Sequence, residues 1–515
     1  MLRPFGGKII DFAFISFDCG ELYNNTWYNT DMILEDYRNE RLRKLNEIRE
    51  RGIDPYPAKS HRNSKIADVV NHFDEKKGQE VCVVGRIVAI RSFGKLVFLK
   101  LRDYTGEVQV FMKAVNEAGP EGTFGAKEVK LLDVGDFVEA AGTVDKTQTG
   151  EISVFCNHVR LLTKSLRPLP EKFTNKEERY RRRYVDMNVN PEVKERLVRR
   201  SKFWQATRDF MNSHGFIEIN IPVLEHTTGG ADAEPFVTHM NALDEDFYLR
   251  ISHELPLKRL LGGGFEKVYD IGPRFRNEGV DDEHLPEHIA FEAYAAYEDY
   301  EDGMKFYEEM MKYVCMQTWG TLKFNVGGFE IDLDCEWPRL KYADLLRKKY
   351  DVDVFNPDRE QLIRILKENG VETNYDVSEA RLIDHVWKLI RKTSAGPYWV
   401  IEEPLSLSPL AKKSPENPLV TERFHPIIAG TEMGNGFSEL NDPLDQLERF
   451  QEQQAARDAG DAEAQMLDMD FVEMLEYGMP PACGWGNSER NFWLLEGVSG
   501  REAVPFPIIK RQQSV

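Results

Sequence analysis

The segment Arg274-Phe275-Arg276-Asn277-Glu278 sets guanidinium groups beside a carboxylate, and Gly484-Trp485-Gly486-Asn487-Ser488-Glu489-Arg490 brings another arginine in behind a glycine-rich approach. A planar guanidinium grips phosphate or carboxylate oxygens bidentately and never deprotonates. Arg276 and Arg490 therefore suit the holding of a nucleoside triphosphate for adenylyl transfer. Arg276 and Glu278 are two apart, which places both on one face of a strand, so a phosphate-binding cation and an acceptor for an adenine amino group could share a cleft. Between the two arginine segments, acidic and aromatic residues recur at the same spacing. Ile289-Ala290-Phe291-Glu292-Ala293-Tyr294 pairs Glu292 with Tyr294, and Glu432-Met433-Gly434-Asn435-Gly436-Phe437-Ser438-Glu439 pairs Asn435 and Phe437 with Glu439. A carboxylate beside an aromatic ring binds a primary ammonium by charge and cation–π attraction together. In Thr228-Gly229-Gly230-Ala231, the missing Cβ lets backbone approach a small ligand closely.

These residues must be positioned by a chain of 515 residues with net charge −20, enough for about two to four domains at roughly 150 residues each. The mean hydropathy is −0.49, and no apolar run approaches the ~18 residues of a membrane span. The apolar opening Ile9–Phe17 contains Asp11 and lacks a small-residue cleavage site, which argues against a signal peptide and for a cytoplasmic location. The six cysteines form no CxxC pair, so neither a zinc site nor a disulfide framework is indicated. The negative charge argues against nonspecific affinity for nucleic acid, DNA included, and a nucleic-acid partner would have to meet local basic patches.

Along the chain, residues 33–52 read as a charged helix stopped by Gly52 and Pro55, with the first 31 residues expected to be a poorly ordered extension before a natural start at Met32. Residues 81–162 alternate like short strands separated by turns, the pattern of a small barrel. There Phe98 shares a face with Lys100 and Arg102, near Arg91 and Gln109, a combination that suits either stacking of unpaired bases or packing of Phe98 against a neighbouring domain. Leu166-Arg167-Pro168-Leu169-Pro170 reads as linker, and the basic run Arg179–Tyr184 as a solvated or inter-domain face, with contact to nucleic acid as the alternative. The expected division is an extension and helix over 1–60, a barrel over 61–165, a linker over 166–190 and a large α+β domain over 191–515. A helix capped by Asn190-Pro191 opens the last of these, and Gly215–Leu224 leads into a strand that Pro222 confines to an edge or a break; an edge of this kind could pair with a second subunit.

Taken together in order, these motifs resemble the class II lysyl-tRNA synthetases whose anticodon-binding OB-fold barrel precedes the catalytic domain, and the resemblance spans roughly residues 33–511. It implies an antiparallel sheet flanked by helices, a homodimer, and magnesium-dependent use of ATP with lysine and tRNA(Lys) as further substrates. It also implies roles. Arg276 would hold the α-phosphate and the lysine carboxylate, and Arg490 the γ-phosphate and one adenine face. Glu278 would accept from the adenine amino group, and His284 would help with the outer phosphates. Glu254 would bind the α-ammonium, while Glu439 and Tyr294, backed by Glu292, Asn435 and Phe437, would bind the ε-ammonium beside Gly230. Glu432 would ligate magnesium, and Arg91, Phe98 and Gln109 would read the anticodon.

Four positions depart from the family pattern. His288 stands where a phenylalanine usually stacks on adenine. His425 stands where a second metal-ligating glutamate is common, although magnesium prefers oxygen ligands. Glu283 replaces a frequent arginine, and the run before Arg490 is one residue short, with Ser488 in place of glycine. The alternative these changes raise is a catalytically impaired relative that binds tRNA or lysine as a regulator.

Overall fold

A computed structural model describes residues 20–115, 119–282, 284–460 and 464–511, with side chains from Leu34 onward. Glu283 and residues 1–19 lie outside the described residues. The chain divides into two compact units, one through Lys172 and one from Phe173.

In the first unit, helix α1 spans Gly20–Glu50 and so begins well before the expected residue 33. Neither glycine nor proline occurs between Glu21 and Arg51 to stop it. Strands β1 (Glu80–Phe93), β2 (Leu96–Arg102), β3 (Glu107–Lys113), β4 (Thr123–Gly125), β5 (Phe137–Lys146), β6 (Ile152–Cys156) and β7 (His158–Thr163) follow. The pairings run β1–β2–β3–β6–β5 and return from β5 to β1, a closed five-stranded barrel with β7 and β4 appended. Alternation explains its packing: Val97, Leu99 and Leu101 of β2 are buried with Val108, Val110 and Met112 of β3 in one apolar core. Helix α1 is tied to the barrel by Arg41, which donates to the carbonyls of Val134, Ser165 and Arg167, and by Lys44, 2.7 Å from Asp133.

In the second unit, residues 176–189, expected in the linker, form two short helices. Arg179 and the buried Arg183 converge on Asp186 at 2.8 and 2.7 Å, so that part of the basic run is engaged internally. Helix α2 (Pro191–Ser213) starts at Asn190-Pro191 as expected. The sheet beyond it contains β8 (Ile217–Glu218), β9 (Lys267–Phe275), β10 (Glu287–Ala296), β11 (Arg339–Lys341), β12 (Tyr398–Ile401), β13 (Arg423–Ile428), β14 (Asn435–Ser438) and β15 (Ala482–Ser488). Its spatial order is β11-β12-β13-β14-β15-β10-β9-β8, and Thr431–Glu432 pairs with β13. The interior pairings are antiparallel; β8 and β11 join in parallel at the two ends. Strand β8 is thus an edge strand, with Ile217 exposed. Helix α3 (Glu254–Gly262) precedes β9, and helix α4 (Tyr300–Trp319) packs with α2 and the sheet around Phe203, Tyr307, Trp399 and Trp485. The fold is α+β, an OB-fold barrel followed by an antiparallel-sheet domain with helices.

Candidate active site

Strands β9, β10, β14 and β15 lie side by side, so residues far apart in sequence line one cleft of about 450 Å³. Arg276, Glu278, His284, His288, Glu432 and Arg490 line it, as do Gly230, Glu254, Glu292, Tyr294, Asn435, Phe437 and Glu439. The register accounts for this: Gly484 of β15 lies opposite Phe437 on one side and Tyr294 on the other, and Gly486 lies opposite Asn435 and Glu292. A Cβ at Gly484 would fall on Glu439 Oε1 and the Tyr294 ring, and one at Gly230 on Glu254 and Ser252. Both glycines are therefore spaces that the pocket's side chains occupy. The spacing of Asn435 and Phe437 with Glu439 does bring all three to the cleft. Arg276 and Glu278 reach it differently, since β9 ends at Phe275 and both follow it in a loop.

One end of the cleft is cationic. Arg274, Arg276 and Arg490 all line it, and burial together with the nearby Arg276 pushes the Arg274 guanidinium down to about 9. Burial also lowers Arg276, despite the opposing pull of Glu278, and its Nε has no hydrogen-bond partner among the described residues. Like charges crowded in a low-dielectric site favour an anion between them. Arg490 opens the short helix Arg490–Leu495, its N–H 3.3 Å from Ser488 Oγ, so the serine in place of glycine serves as an acceptor at that turn. Glu489 anchors the same turn, accepting from Arg200 Nε at 2.8 Å and from the Ile289 N–H at 3.0 Å. His288 accepts from Arg274 Nε at 2.7 Å while its Nδ1 faces the Leu285 carbonyl at 3.1 Å. Burial and the two arginines hold it well below its ordinary value, so it is a neutral ring that steers Arg274. His284 is half-exposed and bonded to Asp281 at 2.9 Å.

Carboxylates line the rest of the cleft, and Glu292 borders the arginines, 3.9 Å from Arg274. Burial pushes the Glu292 carboxyl up, but His253 and Arg274 outweigh it and bring it to about 2. It accepts from Ser252 Oγ at 2.8 Å and from the Tyr294 hydroxyl at 3.2 Å. Glu254 and Glu439 are buried beside it, and burial raises both, against the pull of Lys258. Glu439 Oε1 has no hydrogen-bond partner among the described residues.

Along the side wall a chain of polar contacts runs from Asn435 to Glu432. Asn435 Oδ1 accepts from Arg423 at 2.9 Å, Arg423 and His425 meet Glu403 at 2.9 and 3.0 Å, and His425 Nδ1 lies 2.6 Å from Glu432. With a carboxylate at each ring nitrogen, His425 carries both protons. Burial opposes that charge, but Glu432 and Glu403 raise the ring to about 9, and Glu432 falls to about 2. His425 thus stands as a fixed cation between two carboxylates, a poor donor for a magnesium ion. The donor set fits a magnesium ion held by the Glu432 carboxylate together with oxygens of a bound triphosphate; no group of three ligating side chains is found among the described residues.

On the barrel, Arg91 pairs across β1–β2 with Phe98, Phe98 across β2–β3 with Phe111, and Phe111 across β3–β6 with Phe155. Phe93, 65% exposed, joins Phe98 at 6.1 Å between ring centroids, and the Phe98–Phe111 and Phe111–Phe155 separations are 5.2 and 4.9 Å. Gln109 is on the same face, donating to Ser153 Oγ at 2.9 Å. Lys100 and Arg102, expected to flank Phe98 as free cations, both pair with Glu107. The aromatic row is longer than the sequence suggested, because only the strand register reveals that Phe93, Phe111 and Phe155 extend it.

A catalytic-type cleft with an arginine end and a carboxylate end, in a chain that also carries a five-stranded barrel, defines the class. Residues 175–510 match the class II tRNA synthetases (D, K and N), and residues 81–162 match the OB-fold nucleic acid binding domain. The chain belongs to the class II tRNA synthetase family. More particularly, it is 42% identical to the lysine–tRNA ligase of Thermotoga maritima, over 93% of this chain and 97% of that protein. It is 42% identical to the enzyme of the same name from Fervidobacterium nodosum, over 94% and 96%, and 43% identical to that from Moorella thermoacetica, over 92% and 97%.

Proposed function

We propose that this chain is a lysine–tRNA ligase that activates lysine with ATP and transfers it to the 3′ end of tRNA(Lys). The observation that carries the reading is the polarity of one cleft: three arginines at one end, Glu254 and Glu439 paired with Lys258 away from them, and Glu292 at the join, 3.9 Å from Arg274. A diamino acid spans those ends with its carboxylate toward Arg276, its α-ammonium at Glu254 and its ε-ammonium at Glu439 and Tyr294. Glu439 argues against aspartate or asparagine, since it repels an acidic side chain and gives no preference to an amide.

In the first step the lysine carboxylate attacks the α-phosphorus of ATP in line, a P–O bond forms, and pyrophosphate leaves. The terminal ribose hydroxyl of the tRNA then attacks the activated carbonyl and AMP departs. No protein nucleophile is needed. Arg276 neutralises the α-phosphate and Arg490 the γ-phosphate, Glu278 orients the adenine, and His284 approaches the outer phosphates, so the protein's contribution is positioning and charge stabilisation. Magnesium, held at Glu432, would supply further neutralisation of the triphosphate. Arg91, Phe98 and Gln109 present the barrel face that takes the anticodon bases, and Ile217, exposed on the edge strand, suits a homodimer contact. No helix among the described residues is long and apolar enough to cross a membrane, in keeping with a cytoplasmic enzyme.

The non-catalytic alternative is not favoured, because the arginine end and the carboxylate end are both complete despite His425 and His288. Charging of tRNA(Lys) with labelled lysine by the purified protein tests the reading. Acid-stable transfer that requires ATP is expected, and none from folded protein would overturn it.

A further inference from the structure

Beneath the acidic end of the cleft lies a cation that the sequence motifs did not single out. Lys258 of α3 is fully buried, on a helix whose Leu255, Leu257 and Leu261 belong to one apolar cluster with Phe437 and Phe471. Its Nζ is 2.6 Å from Glu254 Oε1 and forms a short ion pair with Glu439 Oε2. It also lies over the Phe437 ring, 5.2 Å from the centroid, and 5.9 Å from that of Phe471. Glu254 and Glu439 line the cleft and Lys258 does not, so the ammonium approaches both carboxylates from behind. Glu439 Oε1, the oxygen it leaves alone, is the one beside Gly484 at the cleft wall.

A buried charge is costly even when paired, and an apolar side chain of like volume often serves a core as well or better. What the lysine contributes is therefore to be sought in the two carboxylates it holds. They come from different parts of the fold, Glu254 from the first turn of α3 and Glu439 from just past β14. One tetrahedral ammonium with both as partners fixes their separation and commits one oxygen of each, leaving the others for ligand. The positive charge also offsets one of the two negative charges and opposes the rise that burial imposes on both carboxyls.

We propose that Lys258 is a positioning residue of the amino-acid pocket, fixing Glu254 and Glu439 from below at the separation that admits lysine and discriminates against its shorter diamino homologue, ornithine. This rests on the lysine–tRNA ligase reading above. A pocket whose two ammonium ligands are fixed relative to one another can measure the distance between the two amino groups of a substrate. If the two ligands move independently, it cannot.

The test is ATP–pyrophosphate exchange by the full-length protein and by Lys258→Met, with lysine and ornithine each varied. The variant should raise the KM for lysine about tenfold or more and narrow the lysine-to-ornithine ratio of kcat/KM by a similar factor. The KM for ATP should stay within about threefold, a split that a general loss of structure would not produce. If Lys258→Met does not fold, Lys258→Gln, which keeps a donor at the site without the charge, takes its place, with the same narrowing expected. A folded variant whose lysine-to-ornithine ratio matches that of the unaltered protein overturns the proposal. Failure of the unaltered protein to exchange with lysine would instead refute the reading on which it rests, so the two failures are told apart.

Discussion

Replacing Gly484 by alanine puts a methyl group in place of a hydrogen at the wall of the pocket. The new Cβ would overlap Glu439 Oε1 and two carbons of the Tyr294 ring. Withdrawal of the backbone is blocked, because β15 is paired with β14 at Phe437 and with β10 at Tyr294. Relief must come from the two side chains, the ones that would receive the ε-ammonium. Overpacking of this kind costs about 1–3 kcal/mol of stability, and a displaced partner in a buried charge pair costs about 2–5 kcal/mol in binding. At about 1.4 kcal/mol per factor of ten, the KM for lysine should rise roughly 30-fold to 3,000-fold. The arginine end does not touch Gly484, so the KM for ATP should stay within about threefold. Exchange kinetics with lysine and ATP varied in turn, on protein whose unfolding is first shown to be cooperative, measure both. A lysine KM within about threefold of the unaltered value would mean that neither Glu439 nor Tyr294 touches the substrate.

Arg276→Ala should lower lysine-dependent exchange by roughly 10²–10³-fold with the fold intact, since it relieves repulsion with Arg274 and Arg490; circular dichroism and exchange rates check the two halves of that statement. His425 gives a pH dependence. Its ordinary value of 6.5 is raised to about 9, so its ion pairs stabilise the ligand-free protein fully below about pH 6.5 and are lost as pH rises through about 9. At about 1.4 kcal/mol per unit the loss is on the order of 3 kcal/mol, visible in denaturant unfolding between those limits and absent in His425→Gln. His425→Glu would set three carboxylates together, so its melting temperature should fall in chelator and recover with added magnesium, a dependence the unaltered protein should lack. Phe98→Ala should leave lysine-dependent exchange unchanged while raising the KM for tRNA, by about 1–3 kcal/mol for a lost stacking contact; charging assays at varied tRNA read this directly.

The parts legible in sequence were those set by short-range spacing. Two-residue periodicity brought Asn435 and Phe437 to one wall, and Glu292 and Tyr294 to another, because a strand repeats every two residues. Residues whose importance comes from a partner on another strand were not legible. Glu403 lies 22 residues from His425 and becomes its partner only because β12 pairs with β13. Phe111 and Phe155 join the barrel face through cross-strand register, and Lys258 sits in an ordinary amphipathic helix whose buried side faces Glu439 across the fold. The early start of α1 shows the limit in the other direction: a helix end needs a stop signal, and the sequence there supplies none.

The most direct test of the central claim is ATP–pyrophosphate exchange on the purified protein against a panel of amino acids. Exchange that requires lysine, and that no acidic, amide or neutral amino acid supports, is the expected result. Exchange with another amino acid in place of lysine, or with none from folded protein, would contradict the assignment of Glu254, Glu292 and Glu439 to a diamino substrate.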